Sequence, residues 1–269
     1  MNWPSPDLFH NYLQRNAYRT ITAAALLSFM LTAGFKNFFL PRQEWFRPST
    51  EAWALLQYFI PHFFHSNQWF TAAAVFMTML CVWLLCWNRL PRIVPLLILA
   101  TLSCLMLSCP VSYGSLYALY AFHLLILLLW QDHSGLSSDA CRPIQAGLVT
   151  VYFLSGWRKA VWGDWISDWD TLLNILSGPF QSACAGWLIQ MVPAFVWTFL
   201  QFSTVFFQLA APLIFFHPRM VPYAVVSGLA FHLGISLLLQ DLWIFSLAML
   251  PFYVPFFAGS TRFAGIQAR

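Results

Sequence analysis

The sequence predicts an all-α fold, a polytopic transmembrane helical bundle of about eight spans with interfacial or re-entrant helices among them. Three observations lead there. Apolar residues make up 60% of the chain and charged residues only 8%, whereas an ordinary soluble domain carries about a quarter charged residues. Apolar runs recur from residue 20 to residue 257 with no gap wide enough for a soluble domain. Mean hydropathy is +0.66, too high for a chain that must keep a polar surface in water. A run of about 20 apolar residues crosses about 30 Å of hydrocarbon as a helix, which satisfies its own backbone hydrogen bonds where water cannot.

The opening residues, MNWPSPDLFHNYLQRNAYR, lack the basic start, short apolar centre and small-residue cleavage site of a signal peptide. Residues 1–19 are therefore expected to form a cytoplasmic N-terminal segment, 20–258 a single transmembrane helical domain, and 259–269 a short tail. The first span is expected at 20–40, with Lys36 near one end. Residues 52–69, AWALLQYFIPHFFHSNQW, are uncharged but carry Gln57, Pro61, His62 and His65, which suits an interfacial or re-entrant helix. Uncharged spans follow at 68–87, 93–109 and 112–131. The next, 143–162, ends in the adjacent cations Arg158 and Lys159. In 164–176, Trp165, Trp169, Leu172, Leu173 and Leu176 recur at spacings of three and four, predicting a helix lying in the membrane surface. Uncharged spans at 193–216, 220–239 and 242–258 complete the set. Pro193, Pro212, Pro251 and Pro255 are read as kinks rather than helix ends. Trp45, Trp69, Trp87, Trp130, Trp162 and Trp165 fall near span ends, the pattern of an aromatic belt.

Eight spans place Arg15, Arg19, Arg89, Arg92, Arg142, Arg219, Arg262 and Arg269 on one side, against Lys36, Arg42, Arg47, Arg158 and Lys159 on the other. Positive charge gathers on the cytoplasmic side, so both termini are expected there and Lys159 at the outer face. A bacterial inner membrane is the expected location. The net charge of +4 is scattered between spans and forms no nucleic-acid stripe. The six cysteines, at 81, 86, 104, 109, 141 and 184, make no CxxC pair or zinc-type spacing. Buried thiols are the plain reading, and a Cys109 to Cys184 disulfide at the outer face the alternative. His123 and His232 lie within predicted spans, where an interhelical hydrogen bond is expected. His62 and His65 suit an interfacial placement better than a metal site, since no third ligand accompanies them. No phosphate-cradling glycine loop and no HExxH is present, and no inverted repeat suggests a transporter.

Two readings of Lys159 stand on the residues alone. As a structural group it snorkels to the headgroups and anchors its helix. As a functional one it is partly desolvated and serves as a base or a substrate-binding cation. The run Tyr152, Phe153, Leu154, Ser155, Gly156, Trp157, Arg158, Lys159, followed by Asp164 and Trp165, resembles the HTTM (horizontally transferred transmembrane domain) family. That family is related to the membrane part of vitamin K-dependent gamma-glutamyl carboxylase. Ser115 to Leu119 with Ser138 and Asp139, Phe231 with His232, and Phe245 to Leu250 are similar to further stretches of the family in the same order. The resemblance covers most of residues 110–257. It implies that Lys159 stands where the carboxylase has the lysine assigned as the base acting on vitamin K hydroquinone. The chain departs from that pattern at Val111, Ser112 and Tyr113, which replace an Asn-Asn-His run, and only about a dozen residues follow the last span. True glutamate carboxylation is therefore not expected.

What the resemblance implies is a membrane enzyme or maturation factor acting on a lipid-soluble, quinone-like cofactor or a secreted peptide at the outer face. Lys159 would be the base or anion anchor, with Arg158, Asp164, His232 and Tyr113 as substrate or cofactor contacts. Asp168 and Asp170 share the outer side with Lys159. The alternative is a non-catalytic membrane partner, scaffold or immunity-type subunit.

Overall fold

The computed structural model describes residues 16–31, 67–86, 92–108, 114–129, 138–178, 181–240 and 242–256. These are almost entirely helical. Helix α1 spans 16–31, followed by α2 Asn67–Cys86, α3 Ile93–Ser108, α4 Gly114–Leu129 and α5 Ser138–Val161. Then come α6 Thr171–Leu176, α7 Ala183–Met191, α8 Ala194–Phe216, α9 Val221–Leu238 and α10 Trp243–Met249. A 3-10 turn at Leu250–Tyr253 extends α10. Among the described residues no strand forms; the one β-type pairing is an isolated bridge between Gln181 and Leu239.

Helix α8 and helix α9 are long and apolar enough to cross a membrane. Shorter apolar helical stretches occupy 75–84, 93–103, 118–129 and 243–256. Only 28% of the apolar window of α8 and 22% of that of α9 is buried within the chain. A soluble protein's core helix would be mostly enclosed; here Phe195, Phe199, Phe206 and Leu213 of α8 and Tyr223, Val226 and Leu233 of α9 face outward.

Two local expectations change. The 164–176 stretch is not one helix: the chain turns through 162–170, and only Thr171–Leu176 is helical. The reason is side-chain competition, since Asp168 accepts the Asp170 backbone N–H on its own carboxylate at 3.0 Å and so draws it away from a helical ladder. Pro193 is not a kink but the N-cap of α8. It forces Val192 into extended backbone, which ends α7. Pro251 lies in the 3-10 turn that bends the helical stretch 243–256 without ending it, in line with the kink reading. Pro212 does stay inside α8. The 52–66 part of the expected re-entrant segment, with His62 and His65, lies outside the described residues.

The chain divides into two compact units, Met1–Ala140 and Cys141–Arg269. In the first, consecutive helices α2, α3 and α4 pack on one another, burying Met77, Leu84, Ile98, Leu102 and Leu124. The Tyr18 hydroxyl of α1 bonds His123 Nδ1 of α4 at 2.7 Å, and the Tyr120 hydroxyl donates to the Ala25 carbonyl at 3.0 Å. The expected interhelical bond of His123 is thus present. A polar ring in an apolar bundle needs such a partner, because no water competes for it.

In the second unit, α5 turns one face inward at Ile144, Leu148, Tyr152 and Gly156. Those positions recur every four residues, close to the 3.6-residue helical repeat. Gly156 lets α8 approach: a Cβ there would stand 2.8 Å from Gln208 Cβ and 2.9 Å from the Leu209 backbone nitrogen. Helix α8 answers with a buried stripe of Trp197, Gln201, Val205, Gln208, Ala211 and Phe215. Two primary amides in an otherwise apolar stripe must find polar partners, and these define the site below.

A lysine site at the end of helix α5

Ser155 and Lys159 are one helical turn apart on α5, on the inward face carried up from Tyr152. The Lys159 ammonium donates to the Ser155 hydroxyl oxygen at 2.9 Å and to the Gln208 side-chain oxygen, also at 2.9 Å. It also lies over the Trp165 ring, 5.1 Å from its centroid. The ring's negative face favours a cation there. An ammonium carries three N–H donors, and two protein acceptors meet them. No carboxylate is paired with Lys159 among the described residues, so a half-buried cation sits without a protein counter-charge.

Gln201, seven residues before Gln208 on the same stripe, holds Trp165 in place. Its amide nitrogen donates to the Trp165 carbonyl at 2.8 Å and to the Asp168 carbonyl at 2.6 Å. Its amide oxygen accepts the Leu172 N–H at 2.8 Å, at the start of α6. Thr198 adds a bond to the Trp169 carbonyl at 3.0 Å. Three carbonyls of the non-helical 162–170 segment, those of Trp165, Asp168 and Trp169, are therefore satisfied by α8 side chains. Leu176, Ala185 and Trp197 form the apolar core beneath it, joining α6, α7 and α8.

The sequence-predicted residues fall in different places. Lys159 is in the site. Arg158, next to it in the chain, is about 100° further round the helix and exposed. Asp164 is exposed, and its backbone carbonyl, not its carboxylate, accepts the Thr171 hydroxyl at 2.9 Å. Asp168 and Asp170 are exposed as well, turned to the local bonds of the loop. His232 belongs to a second cluster, with Nε2 2.9 Å from the Tyr152 hydroxyl, which is itself bonded to the Tyr253 hydroxyl. Its expected interhelical bond is therefore present too. Tyr113 lies outside the described residues. Cys184 is an exposed free thiol, and Cys109 lies outside the described residues. No group of His, Cys, Asp and Glu among the described residues could hold a metal ion.

Sequence reasoning missed Ser155, Gln201 and Gln208. The signal was available: Ser155 and Lys159 share a face at a spacing of four, and two glutamines seven apart in an uncharged apolar run mark one polar stripe. Comparison of the chain with protein-family models, with curated proteins and with solved structures finds no match.

Proposed function

We propose that the chain is a polytopic membrane protein of the HTTM type that presents Lys159 to a bound substrate as an anion anchor or base. The observation that carries this reading is the ammonium held by Ser155, Gln208 and Trp165 with no carboxylate beside it among the described residues. A desolvated cation without a protein counter-charge is stabilised when an acidic or electron-rich group of a substrate joins it. About eight spans, both termini in the cytoplasm and Lys159 at the outer face of a bacterial inner membrane are parts of the same proposal. The outward apolar faces of α8 and α9 support the bilayer as their surroundings. The substrate is then a lipid-soluble, quinone-like cofactor or a secreted peptide met at that face.

The test is purification in mild detergent of the native chain and of Lys159→Ala at equal membrane abundance, with mass spectrometry of whatever remains bound. A lipophilic or acidic molecule retained by the native chain and lost from Lys159→Ala is the expected result. Identical bound molecules in both would remove Lys159 from function. A stoichiometric protein partner bound equally by both would move the reading to a membrane scaffold or immunity-type subunit.

A further inference from the structure

Lys159, Gln208 and Ser155 hold more hydrogen-bond donors than the chain takes up. An ammonium has no acceptor, so the Gln208 amide must turn its oxygen to Lys159, and the two meet at 2.9 Å. The amide nitrogen is left with its two N–H donors, and no group among the described residues takes them. Gln208 is only 3% exposed, yet that nitrogen is not sealed from the surface. Gln201, seven residues earlier on the same stripe, shows the contrast: both ends of its amide are bonded within the chain. Ser155 accepts from Lys159 and keeps its own O–H to give. With the third ammonium N–H, three side chains therefore offer donors around a single positive charge. An amide donor this deep is costly while it stays unpaired.

One charge beside neutral donors suits a monoanion that can share it over two oxygens. A carboxylate does so, with one oxygen on the ammonium and the other on the Gln208 amide. Residues 158–170 carry two cations, Arg158 and Lys159, against three carboxylates, Asp164, Asp168 and Asp170. That balance does not gather a polyanion such as a diphosphate. The surface next to the site is apolar. At 100° per residue, Ser155 and Trp162 flank Lys159 on one side of α5, with Leu154 further round; Trp162 is 75% exposed and Leu154 57%. A carboxylate carried on a peptide would lay backbone polar groups on that surface without partners. An alkyl chain would not, and it needs no enclosed cavity.

We infer that Lys159, Gln208 and Ser155 bind the carboxylate of a single-chain amphiphile, a fatty acid drawn from the bilayer, whose tail lies along Leu154 on the outward side of α5. This goes beyond the cofactor and the peptide named above, and rests on that reading only for Lys159 standing at the membrane rim. Gln208 is the residue that separates a carboxylate from other groups a lone lysine would attract.

The chain has two lysines, Lys36 and Lys159. Lysine labelled with 13C and 15N at the side-chain end therefore gives two signals from the full chain in mild detergent, assigned with Lys36→Arg. Dodecanoate is expected to shift the Lys159 signal saturably and to leave Lys36 in place. Dodecanol, with the tail and no charge, and acetate, with the charge and no tail, leave both in place. These comparisons use the native lysine site and need no variant of it. Gln208→Leu raises the half-saturating dodecanoate concentration about tenfold, the scale of one hydrogen bond to a charged group. Gln208→Glu supplies a carboxylate from within and abolishes the response. Equal shifts at Lys36 and Lys159 overturn the inference, as does a response unchanged in Gln208→Leu. A Lys159 that answers dodecyl phosphate or a tetraglutamate peptide but not dodecanoate overturns it too, while leaving the lysine an anion anchor. If none of these anions moves Lys159, the anion-anchor reading falls with the inference.

Discussion

Lys159 and Gln208, 49 residues apart in the chain, meet ammonium to amide oxygen at 2.9 Å where α5 and α8 touch. That contact depends on Gly156, which brings the two backbones together one turn earlier. Glycine, amide and cation therefore act as one unit at this crossing.

Gly156→Ala is expected to destabilise the protein by about 1–3 kcal/mol, because the new methyl meets backbone as well as side chain of α8. Gly234→Ala on α9 is the matched control, since a Cβ there meets nothing within 4 Å. It should be neutral or stabilising by up to about 1 kcal/mol through helix propensity. Unfolding of the purified variants in mixed micelles measures both. Equal effects at the two glycines would contradict the close approach at 156.

The Lys159 to Gln208 bond itself should be worth about 0.5–1.5 kcal/mol, the scale of interhelical hydrogen bonds in membrane proteins. A double-mutant cycle of Lys159→Met and Gln208→Leu isolates it. Additive effects would show that the two side chains do not interact.

Gln201→Leu removes three bonds to the 165–172 backbone at once. The cost is expected at about 1–3 kcal/mol, because the Leu172 N–H and two carbonyls lose their partner. Hydrogen exchange should rise at Leu172 and across 165–172, and the Trp165 emission should change as its ring leaves Lys159. Unchanged exchange there would mean that the loop holds itself without α8.

Much of the helical architecture is legible in hydropathy. The runs at 93–109, 112–131, 193–216 and 220–239 appear as Ile93–Ser108, Gly114–Leu129, Ala194–Phe216 and Val221–Leu238. A run of apolar residues bounded by polar ones leaves little freedom in where a helix can end. The 162–170 segment was not legible, because Trp165 and Trp169 fall at helical spacing with Leu172, Leu173 and Leu176 beyond it, while Asp168 diverts the backbone. At the site, chain proximity misleads and helical phase informs. Arg158 and Asp164 are near Lys159 in sequence yet turn outward, while Ser155 shares its face and Gln208 reaches it from another helix. The Tyr152, His232 and Tyr253 cluster draws on residues of three separate elements, which no local pattern reveals.

The placement of Lys159 at the outer rim of a membrane is tested most directly on a native thiol. Cys184 is exposed and free, and no apolar stretch of ten or more helical residues separates it from Lys159. With the other five cysteines replaced by serine, spheroplasts are treated with a membrane-impermeant maleimide before and after permeabilisation. Full labelling of Cys184 before permeabilisation is the predicted result. Labelling only afterwards would put that loop, and Lys159 with it, on the cytoplasmic side and contradict the account.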